Sequence, residues 1–203
     1  MGRRSEHSRT ELRQLIIDAT GELVDTHGVG KVTARMIAEA VEYTPGMLYS
    51  VFRNLEDIFL HVNELSLEEL HEVCKSAAEA QASPREALLA LGQSYINFAL
   101  TRTHRFELMF SQSMTETLAP TSQFNEKTQE LFDLIKHQLT KINPDANNAA
   151  LEIGTRSLWC GVHGATTSAM SNQIITRVWR ADSDLVRALI NHYLDGWTNE
   201  FGQ

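Results

Sequence analysis

Apolar side chains recur along the chain at helical spacing almost from its start. Leu12, Leu15, Ile16, Ala19, Leu23 and Val24 follow at steps of 3, 1, 3, 4 and 1, one face of a helix. Gly28 and Gly30 end that pattern. Thr33 stands where an N-cap belongs, ahead of a short second helix with Ile37, Ala38 and Val41 on its inner face. Glu42-Tyr43-Thr44 interrupts it, and Thr44-Pro45 reads as N-cap and first helical position of a third helix, two turns long, to about Phe52. Asn54 with Asp57 three residues on opens a fourth, an acidic relative of the capping box, running to about Ala80 through Ile58, Phe59, Val62, Leu65 and Leu70.

Ser83-Pro84-Arg85-Glu86 is a strong start signal for a fifth helix carrying Ala87, Leu88, Leu91, Tyr95, Phe98 and Ala99. A short amphipathic piece follows around Phe106, Leu108, Met109 and Phe110. Residues 112–121 read as a loop, 124–141 as a helix, and Asn143-Pro144-Asp145 separates that helix from an eighth, about 146–170. Residues 171–182 read as a connector, and Asp182-Ser183 caps a last helix with Leu185, Ala188, Leu189, Tyr193 and Trp197. No strand alternation and no internal repeat stands out. The expectation is an all-α chain of nine helices.

Composition sharpens this. Only 4 Pro and 11 Gly occur in 203 residues, few breakers for the length. The two cysteines, Cys74 and Cys160, exclude a disulfide-dense framework and a cysteine-based zinc finger. No run has signal-peptide or membrane-spanning length, so no membrane partner and a cytoplasmic location are expected. The net charge of −8 argues against a nonspecific nucleic-acid coat. Most of the excess lies late: residues 1–60 hold 7 basic and 9 acidic side chains, residues 61–203 hold 11 and 17. Arg3, Arg4, Arg9 and Arg13 against Glu6 and Glu11 form a short basic arm, which taken alone is a frayed terminus.

The second and third helices carry the information. A short helix, a tight turn and another short helix make a helix-turn-helix unit. A helix of that length fits a major groove about 12 Å wide, with its exposed side chains reaching base edges while the preceding helix crosses the backbone. Spacing alone leaves open that two short helices are merely packing. The residues are Thr33-Ala34-Arg35-Met36-Ile37-Ala38, then Thr44-Pro45-Gly46-Met47-Leu48-Tyr49-Ser50-Val51-Phe52. They resemble the DNA-binding signature of the tetracycline-repressor (TetR) family, over about residues 8–68.

That resemblance implies roles position by position. Thr33 is a phosphate contact and Arg35 a phosphate or base-edge contact. Pro45 and Met47 face bases on the recognition helix, flanked by Thr44 and Ser50, and Tyr49 meets a phosphate through its hydroxyl. Leu48 and Phe52 are core anchors. Two departures stand out. Glu42 occupies a turn position where the family usually has Gly, which implies strained or differently shaped backbone. Leu55 stands where the family usually has Lys, so that phosphate contact is lost or moves to Arg53 or Asn54.

The C-terminal half is similar to a subgroup with a Trp…His-Gly element, on Leu158-Trp159-Cys160-Gly161-Val162-His163-Gly164 and Phe106-Glu107-Leu108-Met109-Phe110. Gly154, Gly161 and Gly164 give the eighth helix a low-profile face that another helix can approach. This face and the Leu185, Leu189, Tyr193, Trp197 stripe of the last helix are expected to pair with their copies from a second chain in a four-helix bundle, with Trp197 as purely intrachain core the alternative. Among the aromatic residues, most are core, but Phe98, Phe110, Phe132, Trp159 and His163 are the candidate walls of a ligand cavity.

Glu68-x-x-His71 has di-metal spacing, but no second copy of the motif accompanies it, so no metal site and no cofactor are expected. No catalytic motif appears. The resemblance thus implies a headpiece over 1–55, an effector-binding and dimerisation domain over 56–203, and a non-enzymatic repressor. It would bind a near-palindromic double-stranded DNA operator as a homodimer and be released by a small-molecule effector. The residues alone leave a helical ligand-binding or scaffold protein, or a helical enzyme, as the alternatives.

Overall fold

A computed structural model describes residues 7–110, 121–170 and 182–200. The expected loop at 112–120 and connector at 171–181 lie outside the described residues. Nine α-helices occur among the described residues: α1 (Arg9–His27), α2 (Ala34–Ala40), α3 (Pro45–Leu48), α4 (Leu55–Glu79), α5 (Pro84–Thr101), α6 (Thr103–Met109), α7 (Ser122–Ile142), α8 (Asn148–Met170) and α9 (Asp182–Glu200). A single 3₁₀ turn, Val29–Lys31, joins α1 to α2, and no strand is present among these residues.

Local chemistry sets the ends. The Ser8 hydroxyl accepts from Glu11 N–H while the Glu11 carboxylate accepts from Ser8 N–H at 2.8 Å, a complete capping box for α1. Gly28, at φ 76°, closes the same helix in a conformation that a Cβ would strain. Ser83 caps α5 by accepting from Glu86 N–H at 3.2 Å. Asn54 caps α4 by accepting from Asp57 N–H at 2.8 Å, but the Asp57 carboxylate reaches back to Arg53 N–H at 2.9 Å.

The chain divides into two compact units. The first holds residues up to 67 and residues 102–124. Its core gathers Ile16, Val24, Ile37, Leu48, Phe52, Ile58, Val62 and Leu108, all buried. Each such side chain contributes about 1.5–3 kcal/mol by leaving water. This unit extends past the 55/56 boundary read from the sequence. The reason is that α6 packs along α1: Arg105 pairs with Asp25 at 3.1 Å and donates through Nε to the Gly21 carbonyl at 3.3 Å, and His104 Nδ1 meets the Asp25 carbonyl at 3.0 Å.

The second unit holds residues 68–101 and those from 125 onward. Here α5, α8 and α9 pack on one another, with Leu88, Ile96, Leu158, Val186, Ile190 and Leu194 buried between them. Trp197 is 5% exposed, and its ring lies over Gly154, where an added Cβ would meet it at 2.7 Å. The Tyr193 hydroxyl donates to the Gly154 carbonyl at 3.1 Å, and Leu189 covers Gly161. Most of the low-profile face of α8 is therefore occupied by α9 of the same chain, which corrects the expectation that it waits for a second copy. Gly164 is different: nothing lies within 4 Å of a Cβ built there.

Candidate nucleic-acid interface and internal cavity

Thr33 is the N-cap of α2, its hydroxyl oxygen accepting from Met36 N–H at 3.3 Å. Ile37, Ala38 and Val41 turn inward, and Thr33 and Arg35 are exposed. The helix ends in a Schellman motif: Tyr43 N–H donates to the Ala38 carbonyl at 2.9 Å and Glu42 N–H to the Glu39 carbonyl at 3.2 Å. The motif needs a left-handed residue, and Glu42 supplies it at φ 58°. Glutamate thus takes the conformation in which glycine is strain-free. Exchanging it for glycine, Glu42→Gly, should stabilise the protein by about 0.5–1 kcal/mol and raise the thermal midpoint. A calorimetric scan showing a lower midpoint would mean that the Glu42 side chain supports the turn.

Pro45 opens α3, with Thr44 as an N-cap whose side chain makes no capping bond. The regular helix is only four residues long rather than two turns. Its tail tightens, with Ser50 N–H bonded to the Met47 carbonyl at 3.1 Å and Val51 N–H to the Leu48 carbonyl at 3.0 Å. Leu48 alone among residues 44–50 is buried, while Thr44, Pro45, Met47, Tyr49 and Ser50 are exposed. Met47 and Tyr49 are 40% and 48% exposed, apolar surface that the described residues leave open. The structure thus brings Thr33, Arg35, Thr44, Pro45, Met47, Tyr49 and Ser50 onto exposed positions of α2 and α3.

Arg53 is exposed but engaged, pairing with the Asp57 carboxylate at 3.0 Å. Burial alone would raise the Asp57 pKa, but the side-chain and backbone hydrogen bonds from Arg53, with its charge, hold it below the usual value. Behind α3, the Arg13 guanidinium lies over the Phe52 ring, 4.7 Å from its centroid, and 2.5 Å from His61 Nε2. Arginine only donates, so Nε2 accepts and Nδ1–H donates to Glu64 at 2.5 Å. These bonds tie α1 to α4.

Two residues beside this surface were not placed at it by the sequence, Arg9 having been read only as part of the basic arm. Arg9 donates to the Ser50 carbonyl at 3.4 Å, at the end of α3, and His7 Nδ1 is hydrogen-bonded to the Tyr43 hydroxyl at 2.9 Å. The base of the basic arm is thereby fastened to the helix-turn-helix. The only signal available in the sequence was the cluster of arginines.

The second unit encloses a cavity of about 50 Å³ between side chains of α4, α5, α7, α8 and α9. Trp159 is part of its wall. Phe132 meets Trp159 edge-on at 5.5 Å, and His163 stacks on Trp159 at 4.9 Å. His163 Nδ1 is also 2.9 Å from the Tyr95 hydroxyl. Burial lowers the His163 pKa, raises that of Tyr95, and pushes the Cys74 thiol up to about 12. Phe98 is buried in α5 but is not a wall residue, and Phe110 belongs to the first unit, packed on Phe106 at 4.9 Å. Tyr95 and Cys74, read from the sequence as core or unassigned, do line the cavity. The step of 3, 1 and 3 through Leu88, Leu91, Gly92 and Tyr95 puts Tyr95 on the inner face of α5, but carries no signal that this face borders a cavity.

Among the described residues, no group of three or more His, Cys, Asp or Glu side chains could hold a metal ion. Glu68 pairs with Lys127 at 3.7 Å and His71 with Glu72 at 3.3 Å. No described helix is long and apolar enough to cross a membrane.

Two family models match the chain: "Bacterial regulatory proteins, tetR family" over residues 16–62, and "Tetracyclin repressor-like, C-terminal domain" over residues 88–193. No curated protein matches it. Among solved structures, a protein of unknown function from Rhodococcus sp. RHA1 superposes with a TM-score of 0.78 at 19% identity, over 96% of this chain and 98% of the other. A tetR-family transcriptional regulator from Streptomyces coelicolor superposes at 0.69 and 15% identity, over 94% and 87%. A TetR-family transcriptional regulator from Bordetella parapertussis 12822 superposes at 0.64 and 19% identity, over 93% and 96%.

Proposed function

The chain belongs to the TetR family of bacterial regulatory proteins, DNA-binding transcription factors, and from that premise we propose a ligand-released repressor that binds a near-palindromic operator as a homodimer in the cytoplasm. The observation that carries this reading is the row of exposed side chains on α3 around the single buried anchor Leu48, beside exposed Thr33 and Arg35 on α2. In this reading Pro45 and Met47 face base edges, with Thr44 and Ser50 beside them. Thr33, Arg35 and Tyr49 hold phosphates. Arg53, already paired with Asp57, contributes the charge of an ion pair rather than of a free cation.

The outer face of α8 supports the two-fold pairing. Ile153, Ser157, Cys160, Gly164 and Thr167 are exposed at steps of 4, 3, 4 and 3, and Ile153 is 67% exposed. That spacing is a helix-packing seam of mostly small side chains. On α9, Leu185, Ala188, His192 and Gly196 are exposed at steps of 3, 4 and 4. Together with their copies the two helices would form a four-helix bundle, setting the recognition helices about 34–36 Å apart. An effector in the second unit's cavity releases DNA only if it binds one headpiece spacing better than the other. The Trp159–His163 stack also supports our finer placement of the chain in the Trp…His-Gly subgroup. Selection of bound duplexes from a random pool, followed by footprinting, tests the proposal. Two protected half-sites about one helical turn apart are the expected result. A pool that stays random would overturn it.

Leu55 offers a check on the headpiece alone. It opens α4 and is half-buried against the first unit's core. Restoring the family's cation, Leu55→Lys, adds one phosphate contact per subunit. The log-affinity against log-salt slope should then steepen by roughly 1.8 for a dimer. The lysine also opposes the helix dipole, by about 0.3–1 kcal/mol, and gives up apolar packing, so the thermal midpoint should fall. Binding titrations at several salt concentrations decide it, and an unchanged slope would mean that position 55 faces away from the backbone.

A further inference from the structure

We infer that the cavity of the second unit takes an uncharged, mainly hydrocarbon or aromatic molecule with at most one hydrogen-bonding group; this rests on reading that cavity as the effector site. Apolar side chains come from four helices: Leu88 and Leu91 of α5, Leu131 and Leu134 of α7, Leu158 and Val162 of α8, and Ile190 of α9. The polar groups there are a thiol, a phenol and an indole, none of them a charge at neutral pH.

They are also engaged with one another. The Trp159 indole N–H bonds to the Tyr95 hydroxyl, which is also hydrogen-bonded to His163 Nδ1 at 2.9 Å. Burial lowers the His163 pKa, which favours the uncharged imidazole. Cys74 Sγ faces the Leu91 carbonyl at 3.9 Å. No lysine or arginine is among the wall residues, and of the cations on the wall-forming helices Lys136 is held by Glu152 at 2.7 Å, Arg85 by Asp195 at 2.5 Å and Lys127 by Glu130 at 3.1 Å, while Arg156 lies over the Phe132 ring at 5.2 Å. A carboxylate entering this space would lose its water with no described cation opposite it, and an ammonium would lose its water with no described carboxylate in the wall.

The space of about 50 Å³ holds only a few waters and is well below the roughly 300–1,000 Å³ of ordinary ligand sites. An occupant must therefore push the wall aside. Leu88, Leu158 and Ile190 are buried, whereas Leu131, Leu134 and Ile135 are half-buried, so α7 is the side that yields. Widening by moving apolar side chains again favours an apolar occupant, because no polar atom is uncovered for a charged one to meet.

The test uses the full chain and two matched series: decanol, decanoate and decylamine, and naphthylmethanol, naphthoate and naphthylmethylamine. Affinity is read from thermal shift and from quenching of tryptophan fluorescence, and duplex release by anisotropy. The alcohol of at least one series should bind, and its charged partners should bind roughly hundredfold more weakly or less. Val162→Phe, which fills the cavity, should abolish binding of the alcohol; Leu134→Phe serves the same purpose if the first variant loses its helical signal. A charged member that binds as tightly as its alcohol overturns the inference and leaves the effector reading intact. Failure of every alcohol to bind also overturns it. Alcohols that bind in the wild type and not in the filled variants, yet release no duplex, uphold the inference and overturn the effector reading instead.

Discussion

Replacing Arg35 with alanine should weaken binding to a selected operator by roughly 1–3 kcal/mol per half-site, a loss of about five- to 150-fold for each contact. Arg35 is exposed on α2, two residues past the cap Thr33, and is not one of the buried residues of the first unit's core. Its loss therefore has little to act on in the folded protein, and the thermal midpoint should hold. Tyr49→Phe removes a hydroxyl from a side chain that is 48% exposed and should weaken binding in the same direction while leaving the ring's apolar contact in place. The two variants separate the roles. A phosphate contact lowers affinity for all duplexes and flattens the salt slope, whereas a base-edge contact relaxes sequence preference at one position. Gel-shift titrations of both variants that match the wild type would remove α2 and α3 from the interface.

The helical course was legible because its punctuation is chemical. Ser8, Thr33, Asn54 and Ser83 each accept the backbone N–H three residues on, and each was flanked in the sequence by the periodic apolar residues that follow a cap. The end of α3 was not legible. The apolar positions Leu48, Val51 and Phe52 satisfy helical spacing and tightened-turn spacing alike, and the i to i+3 bonds that shorten the helix leave the pattern unchanged. Glu42 was legible as a departure but not as a conformation, since only the Schellman bonds reveal that a glutamate takes the left-handed place.

The cavity was harder for a different reason. Periodicity reports that Phe98, Phe132 and Trp159 turn away from water. It does not report where the volumes of facing helices fail to match, and that mismatch makes a void. Phe98 is buried away from the void, while Trp159 borders it beside Ile190, 31 residues further along the chain. Likewise α6, following α5 directly, contributes Phe106 to the first unit rather than the second, so Phe110 is carried away from the other aromatic candidates. Only contacts distant in sequence decide such assignments.

Gly154 and Gly164 look equivalent in the sequence, and their substitutions should fail in opposite ways. A Cβ at Gly154 would sit 2.7 Å from Trp197 and 3.2 Å from the Tyr193 hydroxyl. The indole is 5% exposed and has no open side to turn to, so α8 and α9 must separate. Gly154→Leu should therefore destabilise the isolated chain by roughly 1–3 kcal/mol or more, with a lower thermal midpoint at every protein concentration. At Gly164 a Cβ meets nothing within 4 Å, and the residue lies on the exposed seam with Cys160 and Thr167. Gly164→Leu should leave the secondary structure of the chain intact. If that seam pairs with its copy, the added side chain holds the two α8 helices apart. Sedimentation should then shift from dimer to monomer, and operator affinity should fall because two linked half-sites become independent. Circular dichroism melts and sedimentation run on both variants distinguish the faces. A Gly164→Leu protein that remains dimeric and binds its operator normally would move the self-association surface off α8, and a Gly154→Leu protein with an unchanged midpoint would contradict the close approach of Trp197.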